Sequence, residues 1–155
     1  MLLSSLALVT KCEENKNQIL KDPNYIVLEV RAYPMPQFRQ YAINQDHLYV
    51  LLSNKNTDKD SLLVEKAIPN LDYNKLAGVF DRLSEEVYTN KCVEDGMVMN
   101  LILFEETLET RNIQFSNIYN EELNEIIEFV NSNTEQKYNV YYDKSKLEED
   151  LKNCN

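Results

Sequence analysis

Apolar and polar residues alternate along the first half of this chain. In 25–33, Ile26, Leu28, Val30 and Ala32 fall on one side, with Val27, Glu29, Arg31 and Tyr33 on the other. That period of two marks a β-strand. Pro34 and Pro36 end it, because proline has no N–H to give to a ladder. Residues 37–44 alternate again, with Phe38, Gln40 and Ala42 opposite Arg39, Tyr41 and Ile43. Asn44-Gln45-Asp46 is turn material, so this strand and 47–53 should form a hairpin in which Leu48, Val50 and Leu52 share a face. A polar loop over 54–60 leads to a fourth strand over 61–68.

The period changes after Pro69. Asp72 suits a helix N-cap, and Leu76, Val79, Phe80, Leu83 and Val87 form one apolar stripe. Gly78 lies inside it, which fits a close approach of this helix to a sheet. Glu94-Asp95-Gly96 reads as a turn. The short, nearly all-apolar run 97–104 suits a central strand covered on both faces, and 110–116 a further strand with Ile113 and Phe115 inward. A second helix is expected over 119–131, with Leu123, Ile126, Ile127 and Val130 on its stripe. A short strand over 138–142 and a last helix, capped by Asp143 or Ser145 and running to about Asn153, complete the order.

Strands lead and connections are short, which points to an α+β fold. The expectation is a largely antiparallel sheet of six to seven strands with two to three helices packed on one face. Residues 25–155 should be this single domain. Residues 1–24 read as an apolar segment followed by a polar spacer that ends in Asp22-Pro23-Asn24.

Charge narrows the function. The chain has 155 residues, 26 acidic against 16 basic, and a net charge of −10. Nucleic-acid binding needs a basic footprint, and the sign here is wrong. No apolar run is long enough to span a bilayer as a helix. Two glycines leave no room for a glycine-rich phosphate loop. His47, the single histidine, has no partners at metal-ligand or catalytic spacing and reads as a hairpin-end residue facing water. The Glu94-Asp95-Gly96 turn lacks the alternating oxygen ligands of a calcium loop. No cofactor and no metal are implied, and an enzyme is not expected.

Leu2, Leu3, Leu6, Ala7, Leu8 and Val9 precede Lys11-Cys12-Glu13-Glu14. The stretch looks like the end of a lipoprotein signal with Cys12 acylated, although Lys11 stands where a small residue belongs. The alternative is an ordinary N-terminal helix packing Leu2, Leu6 and Val9. With Cys12 lipidated, Cys92 and Cys154 are free to pair, stapling the last helix to the loop after the first helix in an oxidising compartment. Two unrelated free thiols are the other reading. Glu121, Glu125 and Glu128 lie on the helix face away from Leu123 and Ile127, and Glu148, Glu149 and Asp150 mark a second acidic face. Ten tyrosines and no tryptophan suit a wet interface, with Tyr41 and Tyr49 as its candidate rings.

The segments Asn117–Asn131 and Lys137–Lys144, with the preceding Asp95-Gly96 turn, resemble a group of small uncharacterised bacterial proteins, many of them envelope lipoproteins. Small acidic α+β proteins of this kind are similar to toxin-immunity proteins. The resemblance implies no active-site residue. The expected function is therefore a non-enzymatic immunity or inhibitor domain that covers a basic protein such as a toxin, using the six carboxylates named above, Tyr41 and Tyr49. The alternatives are an envelope lipoprotein domain with a structural or small-ligand role, and a carboxylate-based hydrolase. The cell envelope or periplasm is favoured over the cytoplasm.

Overall fold

In the computed structural model of the chain, residues 22–57, 59–93 and 96–154 are described. The expectations for residues 1–21, Cys12 included, lie outside them. Seven strands form one sheet: β1 (Tyr25–Ala32), β2 (Gln37–Ile43), β3 (His47–Asn54), β4 (Lys59–Ala67), β5 (Val87–Thr89), β6 (Met97–Glu105) and β7 (Leu108–Ser116). Their order is β4-β3-β2-β1-β6-β7-β5. Every pairing is antiparallel except that of β5 with β7. The helical segments are α1 (Tyr73–Ala77), α2 (Val79–Arg82), α3 (Glu121–Asn133) and α4 (Lys144–Lys152).

The alternation read from the sequence sorts the two faces. Ile26 and Leu28 of β1, Tyr41 and Ile43 of β2, Leu101 of β6, and Ile113 and Phe115 of β7 form the main core with Leu76 and Phe80 of the first helical region and with the α3 stripe. Residues one position along the strands make a smaller cluster on the other face, Tyr25, Val27, Ala42, Tyr49, Leu51 and Ile102, to which no described helix contributes. Because β6 lies between β1 and β7 and buries side chains on both faces, its near-continuous apolar run is accounted for.

Three expectations are corrected. The helix expected from Asp72 to Val87 stops at Arg82. Asp72 does cap it, accepting from Lys75 N at 3.1 Å, but Leu83 turns extended with ψ 116°. Arg111, reaching up from β7, donates to the carbonyls of Phe80 at 3.2 Å and Leu83 at 3.1 Å, so the last turn finds its partners there. Val87 is therefore an exposed residue of β5, and its place on the helical stripe is a coincidence of spacing. Gly78 makes no close approach to the sheet: a Cβ there would meet the carbonyls of Asn74 and Lys75 in its own preceding turn.

The third correction concerns 138–142, which is not a strand. Gln136–Tyr138 is a single 3-10 turn, and the extended stretch after it pairs with a side chain instead of a ladder. Asn131 accepts from Val140 N at 2.7 Å and donates to Val140 O at 2.9 Å, which does the work of a neighbouring strand. Tyr41 anchors the same stretch by donating its hydroxyl to Tyr138 O at 2.6 Å.

Candidate functional site

The acidic residues lie on α3 and α4, which meet at Lys144. Asn120 caps α3 by accepting from Leu123 N at 2.9 Å, and Asp143 caps α4 by accepting from Lys146 N at 3.1 Å. With the apolar stripe of α3 turned to the sheet, Glu121, Glu125 and Glu128 are left exposed, as are Glu148 and Glu149 on α4, while Asp150 is half-buried. Lys144 Nζ donates to Glu121 Oε1 at 2.6 Å, stands 4.0 Å from Glu148 Oε1 and lies over the Tyr119 ring at 4.8 Å. The two carboxylate-bearing helices are thus joined into one surface through a single cation. The Lys144 ammonium and then the Tyr119 hydroxyl hold the Glu121 carboxyl below its ordinary value, and the carboxylate in turn raises Lys144. Glu125 pairs with Arg82 at 2.7 Å, and Glu128 accepts from Asn124 at 2.8 Å.

Tyr41 and Tyr49 do not belong to that surface. Tyr41 is 1% exposed, in the core beneath the helices, and Tyr49 is 3% exposed, on the opposite face of the sheet. Each sits at a strand position whose alternation sends it into one of the two apolar clusters, so neither ring is offered to a partner. Tyr141, 66% exposed beside the start of α4, is the tyrosine that the surface does present. Tyr142 is committed to structure: its hydroxyl donates to Ile118 O at 2.9 Å and accepts from Asn120 N at 2.8 Å, and its ring stacks on Tyr119.

Cys92 and Cys154 are joined as a disulfide, with their Cα atoms 5.5 Å apart. The bond ties the end of α4 to the loop between β5 and β6. α4 itself buries no residue. Beneath it lies a cavity of about 220 Å³ whose floor and walls include Met97, Met99, Phe115, Ile118, Tyr142 and Leu147. Asn117 shapes its rim: with φ 51° it turns its side chain to accept from Met97 N at 3.2 Å and donate to Val93 O at 3.3 Å. Gly96 makes room for this, since a Cβ there would fall on the Asn117 side chain.

The sheet face away from the helices carries a feature that the sequence reading missed. Glu29 is 8% exposed and accepts from Arg31 at 2.8 Å, Gln40 at 2.7 Å and Asn100 at 3.1 Å. Ser53 completes the chain of bonds by donating to Gln40 Oε1 at 3.0 Å. The signal in the sequence was the set of polar residues at outward positions of four adjacent strands, β3, β2, β1 and β6. His47 is half-buried instead of facing water, with Nδ1 2.6 Å from Asp46 Oδ1 and its ring against Tyr49. Among the described residues, no group of three or more His, Cys, Asp or Glu side chains is placed to hold a metal ion, and no helix is long and apolar enough to cross a membrane.

No family model, curated protein or solved structure matches the chain.

Proposed function

We propose that this chain is a non-catalytic binding domain of the immunity or inhibitor type, which covers a basic protein partner with the joined surfaces of α3 and α4. The observation that carries the reading is the exposure of Glu121, Glu125, Glu128, Glu148 and Glu149 across two adjoining helices in a chain of net charge −10. Opposite charge speeds encounter, and an exposed ring supplies holding energy when it is buried at contact. Tyr141 takes the part first given to Tyr41 and Tyr49. The disulfide supports an oxidising compartment such as the envelope or periplasm. Lipid attachment at Cys12 is a separate part of the proposal.

The test is affinity capture from the native host at low salt with mass spectrometry of bait and prey, followed by titration of the purified partner. The comparison is with a triple reversal, Glu128→Lys, Glu148→Lys and Glu149→Lys. A stoichiometric basic partner is expected, released by salt and bound about tenfold or more weakly by the variant. Equal affinity and equal salt dependence for the two proteins would sink the reading, as would a partner that is not basic. The same mass spectra read the state of Cys12.

A further inference from the structure

We propose that the cavity under α4 is a binding site for a small, mainly apolar molecule carrying an amine. This goes beyond the protein-partner reading and does not depend on it. Small-molecule sites are concave and mostly apolar, with a few placed polar groups. The pocket is partly open to solvent, and its volume of about 220 Å³ exceeds that of the closed engineered cavity of about 150 Å³ that takes up benzene. Its walls are apolar or aromatic, formed by Met97, Met99, Phe115, Ile118, Tyr142 and Leu147. Methionine is unbranched and adaptable, and its sulfur makes favourable contacts with aromatic rings, so this lining suits a ring-bearing guest.

The roof explains why the space does not collapse. α4 buries no residue, yet it is fixed at both ends. At the start, Tyr142 is bonded to Ile118 and Asn120, with the exposed Lys144–Glu121 pair beside it, and Cys154 is bonded to Cys92 just past the end. Held in this way, the helix spans the cavity as a strap and need not settle into it. The polar groups at the rim choose the charge of the guest. Asp143 is already occupied by the Lys146 amide and the Tyr141 hydroxyl. Asn117 is occupied by Met97 and Val93. Asp150, half-buried on the cavity side of α4, forms no ion pair among the described residues and is the carboxylate left to receive an ammonium group. Lys146 also lines the rim, but it is exposed and can turn to water.

Three probes with one skeleton test this: 2-phenylethylammonium, 2-phenylethanol and phenylacetate. Each is titrated into the full, disulfide-bonded chain carrying carbon-13 methionine methyl groups. The Met97 and Met99 signals should move and the Met35 signal should not, since Met35 is at the exposed β1–β2 loop tip. The ammonium probe should bind about fivefold or more tighter than phenylacetate, the smallest effect expected of a charge pair about 4 Å apart in water. Leu147→Trp should fill the cavity and abolish the shifts. Asp150→Asn keeps the shape of the side chain and removes its charge; it should keep 2-phenylethanol binding and erase the preference for the amine. Met97 and Met99 signals that no probe moves would overturn the site. Equal affinity for the ammonium and carboxylate probes would overturn its charge preference.

Discussion

Removing the disulfide should loosen α4 before anything else, and the structure sets the size of the effect. The perturbation is the paired substitution Cys92→Ser and Cys154→Ser, which leaves no free thiol at the site. The bond joins residues 62 apart in sequence. In the chain-entropy picture, closing a loop of that length costs the unfolded chain about 4 kcal/mol of freedom. That figure is an upper limit for the loss on removal, because the native state also gains freedom. α4 fully buries no residue and half-buries only Leu147 and Asp150, so little packing opposes its release. The expected net loss is about 2–4 kcal/mol, or roughly 4–16 °C in Tm for a chain of this size. Urea unfolding followed by circular dichroism gives the global value. Amide exchange gives the location: protection over Lys144–Lys152 should fall sharply, while β1 and β6 lose only the global share. An unchanged urea midpoint would refute the entropic argument. Retained protection in α4 would refute the claim that the covalent tie, and not packing, holds the helix down.

Two further predictions test local geometry and pH dependence. The β6–β7 hairpin turns through Glu106 and Thr107 with φ 52° and 69°, left-handed values that a β-branched side chain resists, while Pro23 O and Asn24 Oδ1 accept from the two turn amides and hold it there. Thr107→Gly should therefore stabilise the fold by about 0.5–1 kcal/mol in urea titration, strain relief being partly offset by the freer unfolded chain; destabilisation would show that the Thr107 side chain contributes more than its strain costs. Burial raises Tyr25, Tyr41, Tyr49, Tyr73 and Tyr142 above the ordinary value of 10.0. A raised folded-state value means that the folded chain keeps protons the unfolded chain releases. Stability from these groups should be full below pH 10 and fall as pH rises above it. The other five of the ten tyrosines, Tyr33 and Tyr141 among them exposed, ionise in the folded chain, and the absorbance of the five buried rings should appear only with unfolding. More than five tyrosinates formed while the fold persists would refute the assignment.

Much of the architecture was legible because it rests on patterns that burial enforces. A strand with one face in the core must alternate, and β1, β2 and β7 do so with Ile26 and Leu28, Tyr41 and Ile43, and Ile113 and Phe115 turned to the helices. Caps carry a chemical signature, and Asp72, Asn120 and Asp143 all accept the amide three residues on. The failures came where a distant residue supplied what local pattern could not reveal. Arg111 ends the first helical region from 28 residues away in sequence, and Asn131 satisfies the backbone of Val140 as a strand would have done. Short elements are the most exposed to such substitution, because one side chain can replace all the hydrogen bonds they make.

The site divides along the same line. Helical spacing alone turns Glu121, Glu125 and Glu128 away from the α3 stripe, so those carboxylates were readable. Tyr41 and Tyr49 went wrong because an aromatic residue on a strand has two sheet faces open to it, and composition does not say whether either face is wet. Here both faces carry an apolar cluster, and each ring went into one of them. The cavity was not readable at all, since a void is defined by what fails to fill it. It lies between the sheet and α4, a helix that fully buries no residue and reaches the cavity with Leu147 and Asp150. Lys144 joins the two acidic helices. A partner that competes for Glu121 would draw that carboxylate away from Lys144, an exposed pair of small worth. Tyr142 keeps its bonds to Ile118 and Asn120 in that case, so the start of α4 stays in place and the acidic surface and the cavity should bind independently.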